Sequence, residues 1–435
     1  MLHFSSRVVA LHRHRRDRRL PGGWLPAGDR VQITIAGAGQ AAAAMAAKLR
    51  ALGHQDEIVV IGNEPAAPYQ RPPLSKAYLL GEMPLDRLML RGTEWWADNR
   101  ITLRTGCPVT AIDPAAHVVE TEGGLQSYDV LALCLGAAPR RLPSAIGGDL
   151  PGVHVVRSLA DIDGLIPSLG PGRRLVVIGG GYIGLEAAAV ARKLGLQVTV
   201  VEAGPRILGR VASQPMAGLI RNLHISRGVE VIEGVGVTAL EGEASVAAVR
   251  LSDGRSLPCD LVICGIGVLP ETALAAGAGL ALDNGIAVDA LGRTSEPAIW
   301  AAGDCASFPQ NGGRMRLESV GNAIDMAEAV AANIMGAGAD YIAKPWFWSD
   351  QFDAKLQITG LATGADREIL RGHEAGAAEA GGASVWSFAG DRLLCVEALN
   401  DPRAYMVGKR LIDAGRSADP AAVADPATDI KSLMR

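Results

Sequence analysis

No Cys-x-x-Cys occurs anywhere in this 435-residue chain, although it holds six cysteines: Cys107, Cys134, Cys259, Cys264, Cys305 and Cys395. A dithiol relay therefore has no pair of the usual spacing to run on. Cys259 and Cys264 come nearest, but they straddle Asp260-Leu261-Val262-Ile263, and an extended strand separates its ends by more than a disulfide spans. The eight histidines are scattered, without the spacing of metal ligands. No apolar run reaches the ~18 residues of a membrane-crossing helix. A net charge of −4 leaves no basic footprint for nucleic acid. Neither a membrane nor a nucleic acid is expected as a partner. Aromatic residues are also scarce, at 4%, so any cluster of them stands out.

The first 30 residues differ from the rest. Seven arginines (Arg7, Arg13, Arg15, Arg16, Arg18, Arg19 and Arg30) face only Asp17 and Asp29. Pro21-Gly22-Gly23-Trp24-Leu25-Pro26 stands where a secretory signal would place its apolar core. Residues 1–30 read as a disordered basic extension, the fold is expected to begin at Val31, and a cytoplasmic location is expected. The whole chain, 49% hydrophobic and 20% charged, is long enough for two or three cored domains.

Glycine, by contrast, is abundant, with 53 residues, and two of its clusters have a pattern. Gly37-Ala38-Gly39-Gln40-Ala41-Ala42 follows the strand-like segment 31–36. Gly179-Gly180-Gly181-Tyr182-Ile183-Gly184 follows Arg174-Leu175-Val176-Val177-Ile178. Each opens onto a run of strong helix formers, the context in which G-x-G-x-x-G/A places a dinucleotide pyrophosphate on a helix N-terminus. Glycine lets the backbone turn sharply and lets phosphate approach its N–H groups, where the helix dipole favours an anion. One such turn is a weak signal; two imply two dinucleotides. After the next strand of the first unit come Asn63 and Glu64, and after that of the second comes Glu202. A carboxylate there accepts from ribose hydroxyls and repels a 2′-phosphate, so Glu202 points to NAD rather than NADP. Arg206 is the nearby residue that argues the other way.

These motifs divide the chain. A first dinucleotide domain is expected over 31–140, a second over 141–270 closing with the strand-like Leu261 to Gly267, and a return to the first over 271–344. Ala298-Ile299-Trp300-Ala301-Ala302-Gly303-Asp304 supplies a strand of that return. Strand-like runs at Gln357 to Thr359, Ser384 to Phe388 and Arg392 to Val396 suggest a small antiparallel unit over 345–420. Residues 421–435 read as a loose tail.

Pro72-Pro73-Leu74-Ser75-Lys76, the second glycine turn with Leu185-Glu186, Gly303-Asp304, Arg316-Leu317-Glu318-Ser319-Val320, Asn322-Ala323 and Pro345-Trp346-Phe347-Trp348-Ser349-Asp350-Gln351 stand in one order. In that order they resemble the FAD-dependent, NADH-using ferredoxin reductases, over about nine tenths of the chain. The resemblance implies an α/β fold with two Rossmann-like domains of the glutathione-reductase type and a small α+β C-terminal domain. FAD would occupy the first glycine turn and NAD the second.

The resemblance also implies roles. Asp304 would accept from the FAD ribityl hydroxyls, and Lys76 and Glu186 would pair close to the flavin. A cation beside the isoalloxazine stabilises negative charge on reduced flavin, so Lys76 has chemistry there in its own right. Glu186 would fix the lysine and border the nicotinamide. Trp348 would lie against the flavin edge. Arg71, Val109, Arg157 and Val320 are counted with the FAD contacts and Gly265 with the NAD contacts. The acceptor would be a [2Fe–2S] ferredoxin serving a P450 or another oxygenase, since flavin takes a hydride as an electron pair and can release electrons singly. Three positions depart from the family pattern: Asn63 where an acid is usual, Cys134-Leu135-Gly136 in place of Ala-Thr-Gly, and Asp325 with Glu328 where a family member is basic. Two other readings remain open, a monodehydroascorbate-type small-molecule reductase and a binding flavoprotein like apoptosis-inducing factor.

Overall fold

Ile33–Ala36, Ile58–Ile61 and Val130–Leu133 are buried from end to end, the pattern of strands covered on both faces in a parallel sheet. The computed structural model describes residues 30–372 and 382–434. The basic extension expected over residues 1–30 lies outside the described residues except for Arg30. In the first sheet the order is Ile299–Ala301, Val130–Leu133, Ile33–Ala36, Ile58–Ile61, Ile101–Arg104. All neighbours are parallel, with Ile33 opposite both Ile58 and Val130, and Ile299 opposite Leu131. The order reverses beside Ile33–Ala36, and ligands of open α/β sheets bind at the strand ends above such a switch point.

The second sheet repeats this plan. Its order is Val229–Glu233, Gln197–Glu202, Arg174–Ile178, Leu261–Cys264 and Val153–His154, again parallel throughout. Each unit also carries a three-stranded antiparallel meander, 109–127 in the first and 237–258 in the second. The fifth strands differ in origin. The first sheet borrows Ile299–Ala301 from far downstream, whereas the second takes Val153–His154 from just upstream. The strand expected to run from Leu261 to Gly267 stops at Cys264, and Gly267 turns the chain at a φ of +95°.

A third sheet is antiparallel, ordered Trp346–Gln351, Ala354–Gly360, Arg392–Leu399, Ala383–Ala389, Arg367–Gly372, with the helix Pro402–Asp413 packed on it. The second glycine-turn helix, Tyr182–Lys193, touches both the strand Trp346–Gln351 and the short turn Pro72–Ser75. Three parts of the chain therefore meet on that one helix.

The expected loose tail is in fact folded. Pro420–Ala424 forms a helix capped by Asp419, and Val423 and Leu433 are buried in a cluster with Trp386, Phe388 and Tyr405. Arg371 donates to the carbonyls of Val423, Asp425, Pro426 and Thr428. Proline and alanine hid this segment, because its anchors are two separated apolar residues and a distant arginine. Removing residues 420–435 should cost on the order of 2–5 kcal/mol, the range for emptying a buried aliphatic site. Thermal unfolding of the truncated protein checks this, and an unchanged midpoint would restore the loose tail.

Candidate functional site

The two glycine turns are built alike, and each glycine has a separate reason. Gly37 and Gly179 have φ of +106° and +103°, and a Cβ on either would lie 2.2 Å or 2.4 Å from the carbonyl oxygen of Cys134 or Gly265. No side chain fits there. Gly184 sits against the carbonyl of Gly179, where a Cβ would approach to 2.4 Å; the first turn places the fully buried Ala42 at the matching position. Gly39 is different, because a Cβ there would meet nothing within 4 Å, and at Gly181 only the Gly265 oxygen lies as close as 4.0 Å. The protein itself does not require glycine at those two positions. They cap the helices Gln40–Ala51 and Tyr182–Lys193 with no side-chain cap bond and no acidic residue in the first turn. Two helix N-termini thus keep free N–H groups and positive dipole ends facing open space, which is what a pyrophosphate needs.

That space is one cleft of about 1900 Å³. A typical single-ligand pocket is roughly 300–1,000 Å³, so the cleft has room for two dinucleotides. Every residue assigned a catalytic or cofactor contact from the sequence lines it except Ala42 and Gly184, which are buried beneath the turns. At its second-sheet end, Glu202 accepts from the Gly180 N–H at 2.7 Å and the Gly204 N–H at 2.6 Å. Arg206 is occupied elsewhere, donating to the carbonyls of Ile207, Leu208, Gly209, Ala212 and Ser213. At the first-sheet end, Glu64 is held by Arg71 at 2.5 Å and by the Tyr69 hydroxyl at 2.5 Å, and Arg71 also reaches the Arg157 carbonyl at 2.6 Å. Asn63 is exposed. Ile183 is also 41% exposed, apolar surface that a ring lying in the cleft would cover.

Where the turn Pro72–Ser75 meets the helix Tyr182–Lys193, Lys76 Nζ lies 2.7 Å from Glu186 Oε2. Glu186 is only 3% exposed, on the helix Tyr182–Lys193, while Lys76 ends the turn Pro72–Ser75. The Ser75 hydroxyl donates to the same oxygen at 2.6 Å, and the Ser349 hydroxyl donates to Oε1 at 2.6 Å. Asp304 lines the same cleft and lies 3.4 Å from Arg157. Burial pushes the Asp304 carboxyl above its ordinary value, and Arg157 partly offsets this. The preceding Gly303, at a φ of +81°, lets the chain pass Ala41, whose Cβ would lie 3.1 Å from an added one.

The aromatic cluster splits across its strand. Trp346 and Trp348 stack on one side with centroids 5.5 Å apart, while Phe347 stacks on Tyr182 at 4.4 Å on the other. Trp348, Val320 and Lys76 also line a smaller adjoining pocket of about 250 Å³ with Pro73, Met83 and Asp350. Glu328, one of the departures in the family pattern, pairs with Lys48 at 3.1 Å.

Sequence reasoning assigns no role to Ser75 or Ser349, although both lie inside motifs of the family pattern. A lone hydroxyl has no spacing signal. It also missed Glu397, 1% exposed, which lines the cleft from the third sheet and accepts from the Ser213 N–H at 3.0 Å. The available sign was a glutamate inside an apolar strand. All six cysteines are free, five of them buried. Burial pushes the thiols of Cys259 and Cys305 up to about 11 and raises those of Cys134, Cys264 and Cys395, away from the reactive thiolate.

Two tandem Rossmann units whose glycine turns open on one cleft define an oxidoreductase of the two-dinucleotide class. Residues 31–327 match the pyridine nucleotide-disulphide oxidoreductase model and residues 346–434 the reductase C-terminal model. The chain belongs to the pyridine nucleotide-disulphide oxidoreductase family. It is 42% identical over 405 residues to rhodocoxin reductase of Rhodococcus erythropolis, covering 92% of this chain and 94% of that one. A ferredoxin–NAD(P)+ reductase of a Sphingomonas species is also 42% identical, over 408 residues, with 92% and 97% covered. Among solved structures, the covalent putidaredoxin reductase–putidaredoxin complex matches with a TM-score of 0.89 at 38% identity, covering 93% of this chain and 98% of that one.

Glu397 gives this site a pH signature. Burial raises its carboxyl from 4.5 to about 7, with Glu368 adding to the rise and the Ser213 N–H and Arg206 opposing it. A carboxyl whose folded value is raised favours the native state when protonated, so its contribution is lost as pH rises from about 4.5 through 7. The loss should be on the order of 1–3 kcal/mol. Denaturant unfolding of wild type and Glu397→Gln across that range checks it, and parallel pH curves would refute it.

Proposed function

We propose that the protein is an NADH-dependent flavoprotein reductase that carries FAD and passes electrons one at a time to a [2Fe–2S] ferredoxin serving a P450 or another oxygenase. The observation carrying this reading is the buried Lys76–Glu186 pair, set where the two glycine turns open on one cleft with no thiol pair beside it. Bound FAD supplies the change from paired to single electrons.

The chain's own residues do the rest. The first glycine turn binds the FAD pyrophosphate and the second that of NADH. Asp304 accepts from ribityl hydroxyls, with Arg157 beside it balancing charge. Asn63 meets the FAD adenosine ribose, because the Glu64 carboxylate is already committed to Arg71 and Tyr69. Glu202 selects NADH: its carboxylate repels a 2′-phosphate, and Arg206, the cation that would welcome one, is spent on loop carbonyls. Lys76 holds a positive charge at the reacting end of the cleft, and Glu186 positions it. The Trp346–Trp348 stack closes the cleft toward the smaller pocket and limits water at the exit. We place the protein in the cytoplasm, where six unpaired cysteines fit a reducing compartment.

Turnover assays with purified protein test the function. NADH should drive reduction of a [2Fe–2S] ferredoxin from the same genome, and NADPH should do so far less well. Faster turnover with quinones or ascorbyl radical would favour the small-molecule reductase instead, and a long-lived charge-transfer complex with slow hydride transfer would favour the binding flavoprotein.

The exit can be tested separately. Trp348→Ala should lower electron transfer to ferredoxin about tenfold or more while hydride transfer from NADH stays within about twofold. Stopped-flow measurement of both half-reactions checks this. An equal fall in both rates, or loss of FAD, would make Trp348 a packing residue.

A further inference from the structure

Beyond Ser349, the hydrogen bonds into Glu186 continue across the molecule. Gln351 Nε2 lies 2.8 Å from Ser349 Oγ, and Gln351 Oε1 lies 2.8 Å from His224 Nε2. Strand alternation puts Ser349 and Gln351 on one face of Trp346–Gln351, turned toward the second sheet's helices. His224 belongs to the helix Gln214–Ser226. His224, Gln351 and Ser349 are each 0% exposed, so no water can replace a lost partner.

The direction of the line is forced from its Glu186 end. Ser349 Oγ and Glu186 Oε1 are 2.6 Å apart, a contact that repels unless the serine hydrogen lies between them. A hydroxyl has one hydrogen, so Ser349 can only accept from Gln351, whose amide must present its NH2 to the serine and its oxygen to the histidine. His224 Nε2 then carries the hydrogen. Burial drives the His224 imidazole down to about 4, so the ring is neutral and holds one N–H. Its Nδ1 is left without a partner, and an orphaned acceptor is the less costly kind of orphan.

We propose that His224, Gln351 and Ser349 form a one-way hydrogen-bond line that fixes the orientation of the Glu186 carboxylate, and through it the Lys76 ammonium. His224 and Gln351 are then positioning residues for hydride transfer, although neither lines the cleft. This rests on the reading of Lys76 and Glu186 given above.

Gln351→Glu is the sharpest variant. It is isosteric, but its carboxylate accepts from both neighbours and draws the serine hydrogen away from Glu186. Ser349→Ala removes that hydrogen, His224→Leu frees the amide to turn over, and Ser349→Thr keeps the hydroxyl. Each FAD-loaded variant is measured for single-turnover flavin reduction at saturating NADH, NADH dissociation constant, flavin midpoint potential and thermal midpoint. The first three should slow reduction about tenfold, the scale of one lost hydrogen bond. They should also move the potential more negative, while NADH affinity changes little and Ser349→Thr stays near wild type; the thermal midpoint falls with each lost buried partner and reports only that the variant is folded. Lys76→Met and Glu186→Gln serve as references. If neither reference alters rate or potential, the assignment of the ion pair fails. If both references do while Gln351→Glu and Ser349→Ala behave as wild type, the line has no role and the inference is overturned. Equal losses in Ser349→Ala and Ser349→Thr would also overturn it, and that pair decides the matter if Gln351→Glu fails to fold.

Discussion

One carboxylate holds this architecture together where its parts meet. Glu186 belongs to the second glycine-turn helix, yet its hydrogen bonds come from Ser75 and Lys76 at the edge of the first unit and from Ser349 on the third sheet. A buried carboxylate is tolerated only when charge and donors compensate its lost hydration. Here both conditions are met by groups from two other stretches of chain, so three stretches meet at Glu186. The cost of leaving the carboxylate unpaired therefore opposes any relative slippage of the three. A lysine held this way stays at a fixed place in the cleft rather than sampling the many rotamers of a surface lysine.

The duplicated Rossmann plan explains why the cleft lies between the two units. Each sheet presents the carboxyl ends of its strands, and each switch point carries a glycine turn with an uncapped helix behind it. Gly39 and Gly181 are informative because nothing in the protein demands them. Gly37, Gly179 and Gly184 are demanded by backbone that lies closer than a Cβ would allow. The second set answers to the chain itself, whereas the first leaves each helix N-terminus open to the cleft. The family name includes a disulphide, but in this chain the cleft on which the two glycine turns open carries the Lys76–Glu186 ion pair, and all six cysteines are free.

What could be read from the sequence follows the range of the forces involved. The turns at Gly37 and Gly179 were legible because a sharp turn after a strand restricts residue type locally, as was the acid at Glu202. The return strand at Ile299 was legible from its apolar run into Gly303-Asp304. The folded segment 420–434 was not, because Arg371, Val423 and Leu433 act on it from scattered positions. Arg367–Gly372 was missed as a strand for a similar reason: it is a half-exposed edge strand without a clean alternation. Ser349, Gln351 and His224 could not be joined from sequence, since their connection is a hydrogen-bond direction that exists only once two sheets have packed.

In the proposed reaction one electron pair enters from NADH and leaves as single electrons through the flavin alone. Anaerobic titration of the FAD-loaded protein tests this most directly. One equivalent of NADH should bleach the flavin completely, and two equivalents of oxidised [2Fe–2S] ferredoxin should restore the colour. Uptake of a second NADH before full bleaching would reveal a further redox pair, and a reduced flavin that ferredoxin fails to reoxidise would contradict the proposed acceptor.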